Sequence, residues 1–140
     1  MIHKEKLPQA PYQYNGLALA YMGDAVFEIY VRRHLLSKGG TKPHLLHIAA
    51  TKYVSAKAQA KILYALMDED YLLEQELEIV KRGRNAKSAT VPKNTDVTIY
   101  RMGTAFESLI GFLYLDEQTE RLDDIVHKGF QIIEGNEGDQ

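Results

Sequence analysis

The 140-residue sequence predicts an all-α domain, on three observations. No run shows the sustained alternation of a strand, and the β-branched residues are scattered. Apolar residues recur instead at helical spacing along most of the chain. The breaks between these stretches carry helix caps and breakers rather than hairpin turns. One domain suits this length, with the core at about residues 12–134 and residues 1–140 forming a single unit.

The first helix is expected from near Asn15 to the Ser37-Lys38-Gly39-Gly40 breaker. Thr41 can cap the second, with Pro43 in its first turn. Its apolar positions run from Leu46 to Leu66, long enough to expect a bend. A shorter helix follows at about Asp70 to Arg82, ended by Gly83. Residues 84 to 95, RNAKSATVPKNT, read as a long loop, the kind that is usually functional or mobile. Thr95 or Asp96 can cap the next helix, to about Leu115. A last helix is expected at about Thr119 to Ile133, with the tail EGNEGDQ frayed.

Composition narrows the chemistry. The chain has no cysteine, so it can offer neither a disulfide nor a thiolate ligand or nucleophile. A metal would have to be held by oxygen or imidazole. The five histidines show no ligand spacing. No apolar run reaches the roughly 18 residues of a membrane span, and the N-terminus lacks a signal-peptide core, so a cytoplasmic location is expected. The net charge of −2 hides a basic stretch, Lys81 to Lys93, and an acidic one, Asp68 to Glu78, which reads as solvated surface.

Two helices pose a question. In AYMGDAVFEIYVRRHLL, Asp24 sits in a segment that is apolar nearly all round and therefore expected to be buried. In VTIYRMGTAFESLIGFLYL, Glu107 sits likewise. Gly23 precedes Asp24, and Gly111 shares the face of Glu107. Each glycine costs about 1 kcal/mol relative to alanine in a helix, a cost that close approach of a backbone or ligand would explain. If the two acids face each other, the remedies are a shared proton, an arginine such as Arg101 or Arg32, or a cation. A hard divalent metal suits two carboxylates, and a buried salt bridge is the rival explanation.

These segments also resemble a known family. YMGDAVFEIYVRRHLL is similar to the first signature of the ribonuclease III family, and AFESLIGFLYLDE to its second. Between them, YVSAKAQAKI and RGRNAKSA resemble the family's intervening helix and its glycine- and arginine-rich loop. The matches keep the family's order over about residues 15 to 116. Where the family has further acids, this chain has Leu17, Ala20 and Thr104, so Asp24 and Glu107 remain. No double-stranded-RNA-binding domain is expected after these segments, and in this the chain is similar to the Mini-ribonuclease III subfamily.

The resemblance implies a ribonuclease III endonuclease-domain-like helical bundle. It implies a homodimeric, Mg2+-dependent endoribonuclease that cuts double-stranded RNA and leaves 5′-phosphate and 3′-hydroxyl ends. It also implies maturation of the large-subunit (23S) ribosomal RNA precursor in bacteria, and leaves the help of a ribosomal protein open. Asp24 and Glu107 would then be the catalytic and metal-binding residues. Arg82, Arg84, Asn85, Lys87 and Lys93, with Lys52 and Lys57, would contact RNA. Tyr21, Val26 and Tyr30 would contribute to the dimer interface or to the core. The competing reading is a non-catalytic RNA-binding or ribosome-associated domain of the same fold.

Overall fold

The computed structural model describes residues 5–87 and 91–138, with side chains described as far as residue 135. A 3-10 turn at Pro11–Gln13 leads into α1 (Gly16–Ser37), α2 (Pro43–Val54), α3 (Ala56–Asp68), α4 (Glu74–Arg84), α5 (Val97–Leu115) and α6 (Thr119–Gly138). No strand occurs among the described residues.

Local chemistry sets most boundaries. Asn15 caps α1, its Oδ1 accepting from the Ala18 N–H at 2.9 Å. Asp96 caps α5 in the same way, accepting from Thr98 and Ile99. The bend expected in the second long stretch is a full break at Ser55, whose hydroxyl caps α3 through the Ala58 N–H. Four expectations differ from the structure. The helix expected from about Asp70 starts at Glu74. Lys42, not Thr41, occupies the cap position of α2, with no side-chain cap bond. Gly83 does not end α4, which continues to Arg84. The segment 134–138 is helical rather than frayed. Its first residue, Glu134, accepts hydrogen bonds from Tyr53, Lys38 and His34, which fasten α6 to α1 and α2. Residues 139 and 140 lie outside the described residues.

The central element is α5. Met102, Ala105, Phe106, Leu109, Ile110, Phe112 and Leu113 are all buried, and α1, α3, α4 and α6 all pack on this helix. Burying each large apolar side chain contributes about 1.5–3 kcal/mol. Phe27 of α1 meets Phe106 edge to face, with ring centroids 5.0 Å apart.

Glycines let the helices approach more closely than side chains would allow. A Cβ on Gly23 would fall 1.7 Å from the Glu107 carbonyl oxygen, and one on Gly111 would fall 1.9 Å from that of Leu19. Thus α1 and α5 cross backbone against backbone. Gly83 is retained inside α4 for a similar reason, since a Cβ there would fall 2.4 Å from Ser108 Oγ. Ser108 in turn donates to the Gly16 carbonyl at 2.7 Å.

Candidate active site

The glycine crossing determines which side chains meet. Gly23 lies against the carbonyl of Glu107, so the next residue along α1, Asp24, is delivered beside the Glu107 carboxyl. The two carboxyl groups lie close enough to act on each other electrostatically. Burial pushes the Glu107 carboxyl up to about 8, and the charge of Asp24 adds to the rise. Gln59 of α3 acts the other way, its Nε2 donating to Glu107 Oε2 at 3.4 Å.

The site is more open than the sequence suggests. Glu107 is half-buried, but Asp24 is exposed, not enclosed by apolar neighbours. The helix that reads as apolar all round presents one apolar side outward: Tyr21 is 84% exposed and Ile29 is 65% exposed, and Leu17 is exposed as well. Val26 belongs to the core. Tyr30 is half-buried and donates to Asp123 of α6. Of the three residues expected to serve the interface or the core, Tyr21 alone faces outward.

Neither arginine considered as a partner compensates the acids. Arg32 pairs with Glu28 at 3.4 Å on the surface. Arg101 is exposed and lines a neighbouring cleft. The positions that carry further acids in the resembled pattern do not contribute here: Leu17 and Ala20 are apolar, and Thr104 Oγ1 donates to the Tyr100 carbonyl at 3.2 Å. Among the described residues no cluster of three or more acidic, histidine or cysteine side chains occurs. The donor set is therefore two hard oxygen ligands, one open to solvent. That set fits an ion such as Mg2+, which keeps several waters and is often held by only one or two carboxylates.

The basic residues separate into two roles. Arg82 is half-buried and has partners within the chain. Its Nη1 donates to the carbonyls of Tyr12 and Tyr14, and its guanidinium lies 4.7 Å from the centre of the Tyr12 ring. It holds the N-terminal turn against α4. Arg84, Asn85 and Lys87 are exposed, at or just beyond the end of α4, where Gly83 packs on Ser108, the neighbour of Glu107; Lys93 is exposed shortly before Asp96, the cap of α5. Ser88, Ala89 and Thr90 of this loop lie outside the described residues. Lys52 and Lys57 are exposed around the α2–α3 break. Ala56 there packs on Gly103, one turn before Glu107.

The sequence offers Arg101 as a partner of the acids; it instead joins Lys87, Leu17 and Thr104 around a cleft of about 300 Å3. Gln59 is not singled out for the site by the sequence. Gln59 did leave a signal. It shares the stripe of Ile62, Leu63 and Leu66 yet is polar, and an unbonded buried carboxamide costs about 1–3 kcal/mol. The acidic stretch also has an exception to its solvated reading: Glu76 is buried and grips Arg121 through two bonds of 2.8 and 2.7 Å.

The chain has relatives among known proteins. The model of the ribonuclease III domain matches residues 17–118, which include both acids. The Mini-ribonuclease 3 of Enterococcus faecalis is 56% identical over 115 residues, covering 82% of this chain and 87% of that protein. That of Brevibacillus brevis is 52% identical over 134 residues, covering 96% and 98%. A crystal structure of a Fusobacterium nucleatum protein superposes with a TM-score of 0.75 at 32% identity, covering 89% of this chain and 95% of that one. The chain belongs to the ribonuclease III family, alongside the Mini-ribonuclease 3 proteins.

Proposed function

We propose that this endoribonuclease cleaves double-stranded RNA at a site where Asp24 and Glu107 together hold Mg2+. One observation supports this above the others: a glycine crossing brings two carboxylates together, and among the described residues neither forms an ion pair with a basic side chain. Nucleases of the family are metal-dependent. The bound ion would supply neutralising charge at the scissile phosphate and an activated water. Glu107, whose proton affinity is raised, has to be ionised to hold the cation, so loading the site would release a proton. The exposure of Asp24 leaves one side of the pair open to water and to the RNA backbone. The products would be 5′-phosphate and 3′-hydroxyl ends.

Duplex RNA is recognised mainly by shape, through phosphates and 2′-hydroxyls. Arg84, Lys87, Lys93 and Arg101, with Asn85, Lys52 and Lys57, would follow those phosphates on either side of the acids. The stripe Leu17, Tyr21 and Ile29 runs along the same helix as Asp24. A second copy seated isologously on it would cover the stripe and set two sites side by side, one for each strand. The substrate we favour is the large-subunit ribosomal RNA precursor, which would place the protein in the cytoplasm. No described helix is long and apolar enough to cross a membrane.

The test is cleavage of a long RNA duplex in Mg2+, followed on a denaturing gel. Asp24→Asn should lower the rate at least about 1,000-fold, or about 4 kcal/mol of barrier, while duplex binding measured without Mg2+ persists. Undiminished cutting by this variant would dismiss the proposed site.

A further inference from the structure

On α5, Glu107 lies midway between Gly103 and Gly111, one turn from each. Gly111 admits α1. At Gly103 the packing of α3 is close to ordinary, since a Cβ there would stand 3.4 Å from Ala56 Cα and 3.3 Å from Gln59 Oε1. Each of these two helices brings one polar side chain to Glu107: Asp24 from α1 and Gln59 from α3. Gln59 is 3% exposed, and its carboxamide lies between Gly103 and the Glu107 carboxyl.

We infer that Gln59 is a positioning residue that holds the Glu107 carboxylate in the orientation facing Asp24, so that the two acids are preset for a cation. This rests on the cation-binding reading above. The residue type suits the task. A carboxamide N–H fixes a carboxylate oxygen without a positive charge that would compete with the cation. It also adds no third negative charge to a pair that already repels. With two carboxylates as the whole donor set, the orientation of each weighs heavily on affinity.

The experiment measures Mn2+ binding to the metal-free protein by the electron paramagnetic resonance of the free ion. It compares wild type, Gln59→Leu, Gln59→Met and Asp24→Asn, each first checked for folding by circular dichroism and thermal melting. Both Gln59 variants should weaken Mn2+ binding about tenfold, the lower end for loss of a group that orients a ligand. The Mg2+ concentration for half-maximal cleavage should rise in proportion, with KM for the RNA duplex within about twofold of wild type. Folded Gln59 variants that bind Mn2+ like wild type overturn the inference and leave the site itself standing, provided Asp24→Asn abolishes binding. If Asp24→Asn and wild type bind Mn2+ alike, the cation site falls and the role of Gln59 with it. If Gln59→Leu does not fold, Gln59→Met decides. If neither folds, Gln59 is a structural residue and the inference is overturned.

Discussion

Replacing Glu107 with glutamine should abolish cleavage and, without metal, make the protein more stable near neutral pH. The ordinary value of this carboxyl is 4.5, and the folded protein raises it to about 8, first through burial and then through Asp24. A carboxyl raised by folding binds its proton more tightly in the native state. Stability from this group is therefore complete below about 4.5 and declines as pH rises towards about 8. At about pH 7 the gap from the ordinary value is about 2.5 units, which at about 1.36 kcal/mol per unit caps the loss at about 3.4 kcal/mol. Solvent reaches the pair through the exposed Asp24, and screening brings the expected loss to about 2 kcal/mol. Glutamine has nearly the same shape and stays neutral, so the variant escapes this loss. For a chain of 140 residues, an unfolding entropy of about 2.1 cal/mol/K per residue converts about 2 kcal/mol into about 7 °C. The assay is thermal melting in chelator at several pH values from about 5 to about 8. The Tm difference between Glu107→Gln and wild type should widen across this range in the variant's favour, and Mg2+ should stabilise the wild type alone. Glu134 leaves the window clear: against the penalty of burial, hydrogen bonds from Tyr53, His34 and Lys38 hold it at about 2, so its contribution is lost only as pH falls below about 4.5. Parallel melting curves for the two proteins would refute the reasoning.

Other substitutions separate scaffold from surface. Gly111→Ala places a methyl 1.9 Å from the Leu19 carbonyl oxygen, so α1 and α5 must part; it should cost about 3 kcal/mol by chemical denaturation and remove cleavage together with the acid contact. Neutralising Arg84, Lys87, Lys93 and Arg101 together should raise KM and reduce the slope of log affinity against log salt by about 3, as read by duplex binding across a salt series. Arg82→Met should leave that slope unchanged and instead lower stability by about 1–3 kcal/mol, because it strips donors from the Tyr12 and Tyr14 carbonyls. Tyr21→Arg should convert a dimer to monomers in sedimentation, since it charges the outward stripe of α1.

What was legible in the sequence was mostly local. Asn15 and Asp96 announce their helices because a short polar side chain can bond the free N–H groups of a first turn. Gly23 and Gly111 were legible as costs that needed a reason, and the backbone crossing supplies it. The failures came where a distant partner decides. Gly83 looks like a stop signal, yet the approach of Ser108, twenty-five positions on, makes it an interior residue of α4. A structural role of Arg82 was equally illegible, because its long side chain reaches carbonyls about seventy positions earlier. Asp24 was placed in the right encounter and the wrong environment. An apolar circumference reads as burial, but the single chain leaves Tyr21 and Ile29 in solvent.

The same contact that makes the fold stable makes the site reactive. Backbone contact at Gly23 and Gly111 lets α1 and α5 pack along their length, and the buried surfaces around Phe27 and Phe106 favour that approach. Asp24 and Glu107 oppose it, because bringing two carboxylates together is unfavourable once both are charged. Packing prevails, and the opposition remains as a raised proton affinity at Glu107. On the proposed reading, a divalent cation would relieve it better than a proton can, since it would satisfy both carboxylates at once and leave coordination positions for water and phosphate. A basic side chain at the crossing would relieve it permanently, and the protein would gain stability while losing the attraction that draws a cation in. Changes that quiet the pair should therefore stabilise the metal-free protein and silence the enzyme together. Changes that merely disturb the core should lower both stability and activity, so the sign of the stability change distinguishes a site residue from a packing residue.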